Sequence, residues 1–297
     1  MGRRIVMTGG SGALGSELAE ALRSRGDEVV LIRRGDGPDQ WNPSEGRLDP
    51  ALLEGAAAVF NFNGIGLGDT RWTEERKAAL VSSRIDPTSL LARTMAGMPE
   101  PPPVFVSSSA VGIYGDTGDE IADESSPPGD DFLAQLCVQW EQAATPAVDA
   151  GIRVVHPRTG ITLQPGEGAL ARMSLPFKMG IGGRIGDGQQ WWSWISIRDA
   201  IRAYVHLIDT DIAGPVNVVG PNPVTNEQFT KAYGAVIKRP TVIPVPKLAL
   251  NILLGSELAE TVGYGSTRAS ARKLLDSGFT FTSETVDEAL REALVPN

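Results

Sequence analysis

Arg4-Ile5-Val6-Met7-Thr8-Gly9-Gly10-Ser11-Gly12-Ala13-Leu14-Gly15 is the stretch that decides the fold. Arg4 to Thr8 is a short β run. Gly9, Gly12 and Gly15 then keep a G-x-x-G-x-x-G spacing, and Leu14, Leu18 and Leu22 recur every four residues until Gly26. Strand, glycine turn and amphipathic helix in that order make a dinucleotide-binding unit. The first glycine turns the backbone sharply and the second lets a pyrophosphate approach. The third lets the helix pack close to the strand, so that its N-terminal amides face the phosphates. Gly9, Ser11, Gly12, Ala13, Leu14 and Gly15 are therefore the first candidate cofactor residues. Neither Lys-Ser nor Lys-Thr follows, which excludes a Walker-type loop.

Outward from this unit the alternation continues. Glu28 to Ile32 is apolar on both faces, as a buried parallel strand is. Strand Ala57–Phe62, a helix near 73–95, strand Val104–Ser107, a helix near 132–150 and strand Arg153–His156 follow. Right-handed crossovers between such strands predict an α/β fold, a Rossmann-type doubly wound parallel sheet. Past Thr159 the texture changes: 164–194 is glycine-rich and carries Trp191, Trp192 and Trp194, and 214–246 is punctuated by prolines. The expected organisation is a dinucleotide-binding domain over 1–163 with a later contribution near 195–220. A smaller C-terminal lobe takes 164–194 and 221–297, built over the sheet's carboxyl edge.

Composition narrows the function. Lys and Arg number 27 against 36 Asp and Glu, a net charge of −9 that argues against general binding to nucleic acid or anionic lipid. One cysteine, Cys137, and two histidines, His156 and His206, cannot build a structural zinc cage. The start enters a strand directly, and no apolar run approaches a membrane span, so a cytoplasmic protein is expected.

The end of the second strand chooses the cofactor. An acidic residue there would bind the ribose 2′-hydroxyl of NAD. Here the chain reads Ile32-Arg33-Arg34, with no acid until Asp36. Two guanidiniums suit a 2′-phosphate, so NADP is expected over NAD.

Thr8-Gly9-Gly10-Ser11-Gly12 and Ser107-Ser108-Ser109-Ala110-Val111-Gly112-Ile113-Tyr114-Gly115 resemble the extended and atypical short-chain dehydrogenase/reductases, a group that includes nucleotide-sugar epimerases and dehydratases. More narrowly, the chain is similar to the epimerase-family proteins with a distinctive C-terminal domain, some labelled cell-division inhibitor homologues. Arg71-Trp72-Thr73, Ser83-Arg84, Trp140-Glu141, Arg158-Thr159-Gly160 and Pro221-Asn222-Pro223-Val224-Thr225 carry that resemblance along nearly the whole chain. It implies a cofactor-side turn at Asn61, Asn63 and Gly64, contacts from Ser107 and Arg158, and Ser109 at the position of the superfamily's catalytic serine.

The superfamily's proton relay is Tyr-x-x-x-Lys, whose lysine lowers the tyrosine pKa. Four residues after Tyr114, Tyr204, Tyr233 and Tyr264 stand Gly118, Ile208, Ile237 and Arg268. Anchoring on Glu141 puts Leu133 at the tyrosine position and Cys137 at the lysine position. Ser109 is read either as a hydrogen-bonding partner of substrate or nicotinamide, or as a serine lining a strand end. Tyr114 is read as a nearby phenol or as a packed tyrosine, and these two are the candidate catalytic residues. Cys137, His156 and His206 read as core. Arg71, Trp72, Arg158, Lys178, Arg184 and the three tryptophans suit a small anionic or ring-bearing ligand. The acidic stretch 116–124 reads as a solvated loop.

Two functions fit: an NADP-dependent oxidoreductase or epimerase with a changed proton relay, or a non-catalytic dinucleotide-binding regulator linked to cell division.

Overall fold

A computed structural model describes residues 2–37 and 39–295; Met1 and the last two residues of the expected second lobe lie outside them. Among the described residues, eight strands form one sheet, seven of them in the order Gly214–Val218, Arg153–Thr159, Val104–Ser107, Ala58–Asn61, Arg4–Thr8, Glu28–Arg34 and Gln40–Trp41, while the eighth, Ser109–Ala110, pairs with the end of Arg153–Thr159. Every neighbouring pair is parallel. The chain begins mid-sheet, steps outward to Gln40–Trp41, then returns to the other side of its first strand. That reversal opens a crevice at the carboxyl ends of Arg4–Thr8 and Ala58–Asn61, where open α/β sheets bind ligands.

Strand periodicity divides the core between the two faces. Ile5 and Met7 pack with Leu18, Leu22, Tyr204 and Leu207 on one side. Val6 packs with Val59, Phe105, Leu91 and Met95 on the other. Burial on both faces explains the continuous apolar runs, and each large side chain so buried contributes about 1.5–3 kcal/mol. A third core joins Leu163, Phe177, Trp194, Phe229, Tyr233 and Leu290 beyond the sheet's edge.

Two local expectations change. The helix expected over 132–150 is two helices, Phe132–Gln142 and Thr145–Asp149. Pro146 has no amide to donate to the preceding turn, which favours a new start there. The acidic stretch is largely exposed, as expected of a solvated loop, with Asp116, Asp119, Glu120 and Asp123 open to solvent, but it also pairs with later segments. Ile121–Ala122 pairs in parallel with Arg268–Ala269, and Trp191 Nε1 donates to Asp119 Oδ1 at 2.9 Å. Glu124 Oε1 accepts the Asn217 amide at 2.7 Å. Asp119 thus ties the stretch to Trp191, and Glu124 ties it to the sheet strand Gly214–Val218. No helix among the described residues is long and apolar enough to cross a membrane.

Candidate dinucleotide and substrate site

The three loop glycines have three separate reasons. Gly9 has φ +71°, and a Cβ there would lie 2.5 Å from the Phe62 carbonyl carbon. A Cβ on Gly15 would lie 2.7 Å from Gly9 O, so helix and turn could not close. At Gly12 a Cβ would meet only Gly9 O, at 3.5 Å. The fold requires the first and third glycines; the second faces open space. Gly12 also caps the helix Ala13–Ser24 with no side-chain acceptor, leaving amides of the first turn for a ligand.

Behind this loop lies a closed polar network. Asn61, fully buried, donates to Thr88 Oγ1 at 2.7 Å and accepts from Asn63 Nδ2 at 2.7 Å. Asn63 also donates to Thr8 Oγ1 at 2.6 Å, and Trp140 Nε1 to Thr88 Oγ1 at 3.0 Å. Asn61 thus orients Asn63, which lines the crevice with Gly64 and Ile65. Opposite them, Arg33 and Arg34 line the same 460 Å³ groove beside Trp41 and the glycine loop. Both are exposed, and among the described residues neither has a carboxylate within 4.0 Å. An open second glycine, free helix amides and two cations at the far end together fit a dinucleotide bearing a 2′-phosphate.

At the other end, Ser109 Oγ donates to Glu141 Oε1 at 2.7 Å, and Arg158 clamps both oxygens of Glu141 at 2.9 and 3.0 Å. Arg158 Nη1 also donates to the Tyr114 hydroxyl at 3.0 Å, which donates to Asn217 Oδ1 at 2.7 Å. Burial alone would weaken the hold of Arg158 on its proton, but Glu141 more than offsets it and the pKa rises. Burial likewise raises Tyr114, against the pull of Arg158. That phenol is a poor proton acceptor at neutral pH, and the Arg158 guanidinium is committed inside the protein. Ser107, fully buried, has a hydroxyl without a partner.

Cys137 is buried, and burial pushes its thiol up to about 12. Leu133 instead lines a 490 Å³ cavity with Val111, Thr159, Trp191, Trp192 and Ser193. No lysine, arginine or histidine lines it among the described residues; its charges are Asp116, Asp131 and Glu260. The basic residues expected over this edge sit elsewhere. Arg71 donates to Ile252 O, Lys178 is exposed at a helix end, and Arg184 pairs with Glu227 at 3.4 Å. Trp72 stacks edge-on against Phe132 at 5.1 Å, and Trp194 is core. His156 is buried with Nδ1 unpartnered, and His206 Nε2 meets Ser277 Oγ at 2.8 Å.

Sequence reasoning missed the part played by Glu141, and it missed Arg84 as a site residue. Arg84 is 8 % exposed, and its guanidinium carbon lies 5.3 Å from the Trp140 ring centroid. Its Nη2 donates to Ile65 O at 3.0 Å. Its one signal in the sequence was the Ser83-Arg84 pair among the residues that carry the family resemblance.

Sheet order, glycine loop and crevice define a Rossmann-type dinucleotide-binding protein. Residues 5–220 match the NAD dependent epimerase/dehydratase family, and the chain belongs to it. Residues 245–293 match a domain of unknown function, DUF1731. An epimerase family protein of Mycobacterium leprae is 41% identical over 295 residues, covering 97% of this chain and 95% of the relative. The crystal structure of human epimerase family protein SDR39U1 (isoform 2) with NADPH superposes with a TM-score of 0.90 at 32% identity, covering 98% of each chain. A nucleoside-diphosphate sugar epimerase from Corynebacterium glutamicum gives 0.80 at 34% identity, over 99% of this chain and 58% of that one.

Proposed function

We propose that this protein is an NADP(H)-dependent oxidoreductase of the epimerase family whose substrate is a small, uncharged, ring-bearing molecule. The observation that carries the cofactor reading is the groove between Gly12 and the Arg33–Arg34 end, which has no carboxylate partner among the described residues. The human relative crystallised with NADPH supports it. Gly9, Ser11, Gly12, Ala13, Leu14 and Gly15 would hold the pyrophosphate by backbone amides, and Arg33 and Arg34 the 2′-phosphate. Asn63 and Gly64 would line the remainder, with Asn61 and the fully buried Ser107 behind them. Bound NADPH supplies a hydride.

The substrate reading rests on the cavity beyond. Trp191 and Trp192 offer ring faces, and Thr159, Ser193 and Thr267 offer hydroxyls. Without a cation in its lining, the cavity has nothing to offset a diphosphate, which argues against a nucleotide sugar. While hydride goes to the carbonyl carbon, Leu133 brings no proton to the carbonyl oxygen, so hydroxyls or water must deliver it. Ser109, held by Glu141, orients rather than relays. The domain division at about residue 163, with strand Gly214–Val218 returned to the sheet, belongs to the same proposal.

Titrating NADPH and NADH into wild type and the Arg33→Ser/Arg34→Ser double variant tests the cofactor. Wild type is expected to prefer NADPH by about tenfold or more, and the double variant to lose that preference. Tighter NADH binding in wild type overturns it. An NADPH-oxidation screen across quinones, cyclic carbonyls and sugars tests turnover. The replacement of the proton relay by Leu133 and Cys137 favours one other reading, a regulator that holds the dinucleotide without turnover. Tight NADPH binding with no oxidation in that screen would select it.

A further inference from the structure

Two guanidiniums are deeply buried near the crevice, and they are treated differently. Arg158 has its anion, Glu141. Arg84 has none: Nη1 donates to Leu80 O at 3.1 Å and Ser83 Oγ at 3.3 Å, Nη2 to Ile65 O, and every one of these acceptors is neutral. No carboxylate oxygen lies within 4.0 Å of it among the described residues. A second cation makes matters worse. Arg76, two helical turns earlier, donates to Gly66 O, and its Nε is buried without a partner. Its own acid, Asp69, stands 3.6 Å away and is shared with Arg172. Neutral acceptors and the Trp140 face offset part of the cost of burying a charge, but a buried charge without an anion remains expensive.

The place where Arg84 sits supplies the missing anion. Its guanidinium lies against Gly64, where a Cβ would come within 3.0 Å of Cζ, and Gly64 and Ile65 form the crevice wall. The backbone of Gly64 and Ile65, which Arg84 touches from behind, also lines the groove. The neighbouring Cys137, at the superfamily's lysine position, carries no charge of its own at neutral pH.

We infer that Arg84 is a built-in countercharge for the dinucleotide, its guanidinium kept without a carboxylate behind the Gly64–Ile65 wall so that the ligand's phosphates complete it. It acts through the wall as a positioning residue and makes the crevice an anion site before anything enters it. This rests on the NADP(H) reading above.

The full-length Arg84→Met and Arg84→Lys variants test this against a purely structural strut. For Arg84→Met, NADPH affinity is expected to fall about tenfold or more, while the ligand-free protein unfolds at the same temperature or higher, a lone buried charge having been removed. Arg84→Lys is expected to recover part of the affinity. Lower ligand-free stability with NADPH affinity within about twofold of wild type would overturn the inference, since a strut does that. Should stability and affinity both fall, the salt dependence decides: a shallower slope of log Kd on log salt upholds the inference, and an unchanged slope overturns it. Failure of the wild type itself to bind NADPH would instead remove the functional reading on which this one stands.

Discussion

The two ends of the crevice have diverged in opposite ways. At the glycine-loop end the groups that line the groove are left open: Gly12 meets only Gly9 O, the helix amides have no side-chain cap, and among the described residues Arg33 and Arg34 have no carboxylate within 4.0 Å. At the Ser109 end the polar groups are aimed at one another. Ser109, Glu141, Arg158, Tyr114 and Asn217 form a chain in which each link is satisfied within the protein. One end is built to receive a ligand, and the other has turned its inherited positions into a brace. Family membership therefore transfers the cofactor far better than it transfers the chemistry.

That contrast can be broken at either end. The largest effect is expected from Glu141→Gln, which strips the buried Arg158 of its anion and should cost about 3–5 kcal/mol of stability in urea unfolding. A loss below about 1 kcal/mol would mean that the brace is not structural. Gly12→Asp sharpens the other end. Gly12 has φ −76° and ψ 166°, open to any residue, and Asp is a favoured cap, so stability should hold or rise by up to about 1 kcal/mol. NADPH binding should nevertheless weaken by about a hundredfold, because the new carboxylate stands where phosphates would approach. Unchanged affinity in calorimetry would show that the open glycine is not a phosphate seat.

The smallest effect concerns Cys137. Its folded pKa is raised to about 12, so the thiol's contribution is fully present below the unfolded value of about 8.5 and is lost as pH rises. Above that value the unfolded chain releases a proton that the folded one keeps, and stability declines by at most about 1.4 kcal/mol per pH unit from this group. Cys137→Ser should flatten the decline between about pH 9 and 11, as followed by thermal unfolding. Equal slopes in the two proteins would contradict the burial of the thiol.

What could be read beforehand follows from distance along the chain. The strand–glycine–helix unit is local, and each strand reports its own burial, so sheet and loop were legible. That Arg33 and Arg34 would reach the same groove as the glycine loop was legible because the second strand follows the loop and its helix directly. The brace was not, since Tyr114 and Asn217 lie 103 residues apart and a lone glutamate has no periodicity. Arg84 was hidden for the opposite reason: what matters is a partner that it does not have. The expected anionic ligand relied on basic residues that folding disperses to Ile252, to Glu227 and to an exposed helix end.

The parallel pairing of Ile121–Ala122 with Arg268–Ala269 has a consequence for how the molecule comes into being. Thr117 and Asp119 take their partners from Ser266 and Arg268, and Thr267 returns a bond to Gly115 O, so the cavity's rim is made of segments about 150 residues apart. During synthesis the sheet can assemble as its strands emerge, because each finds a neighbour already present. The rim cannot: its first half must wait, unpaired, until the segment around Ser266 to Arg268 has emerged. The glycine-loop groove can be old in the life of each molecule before the rim of the second cavity is closed.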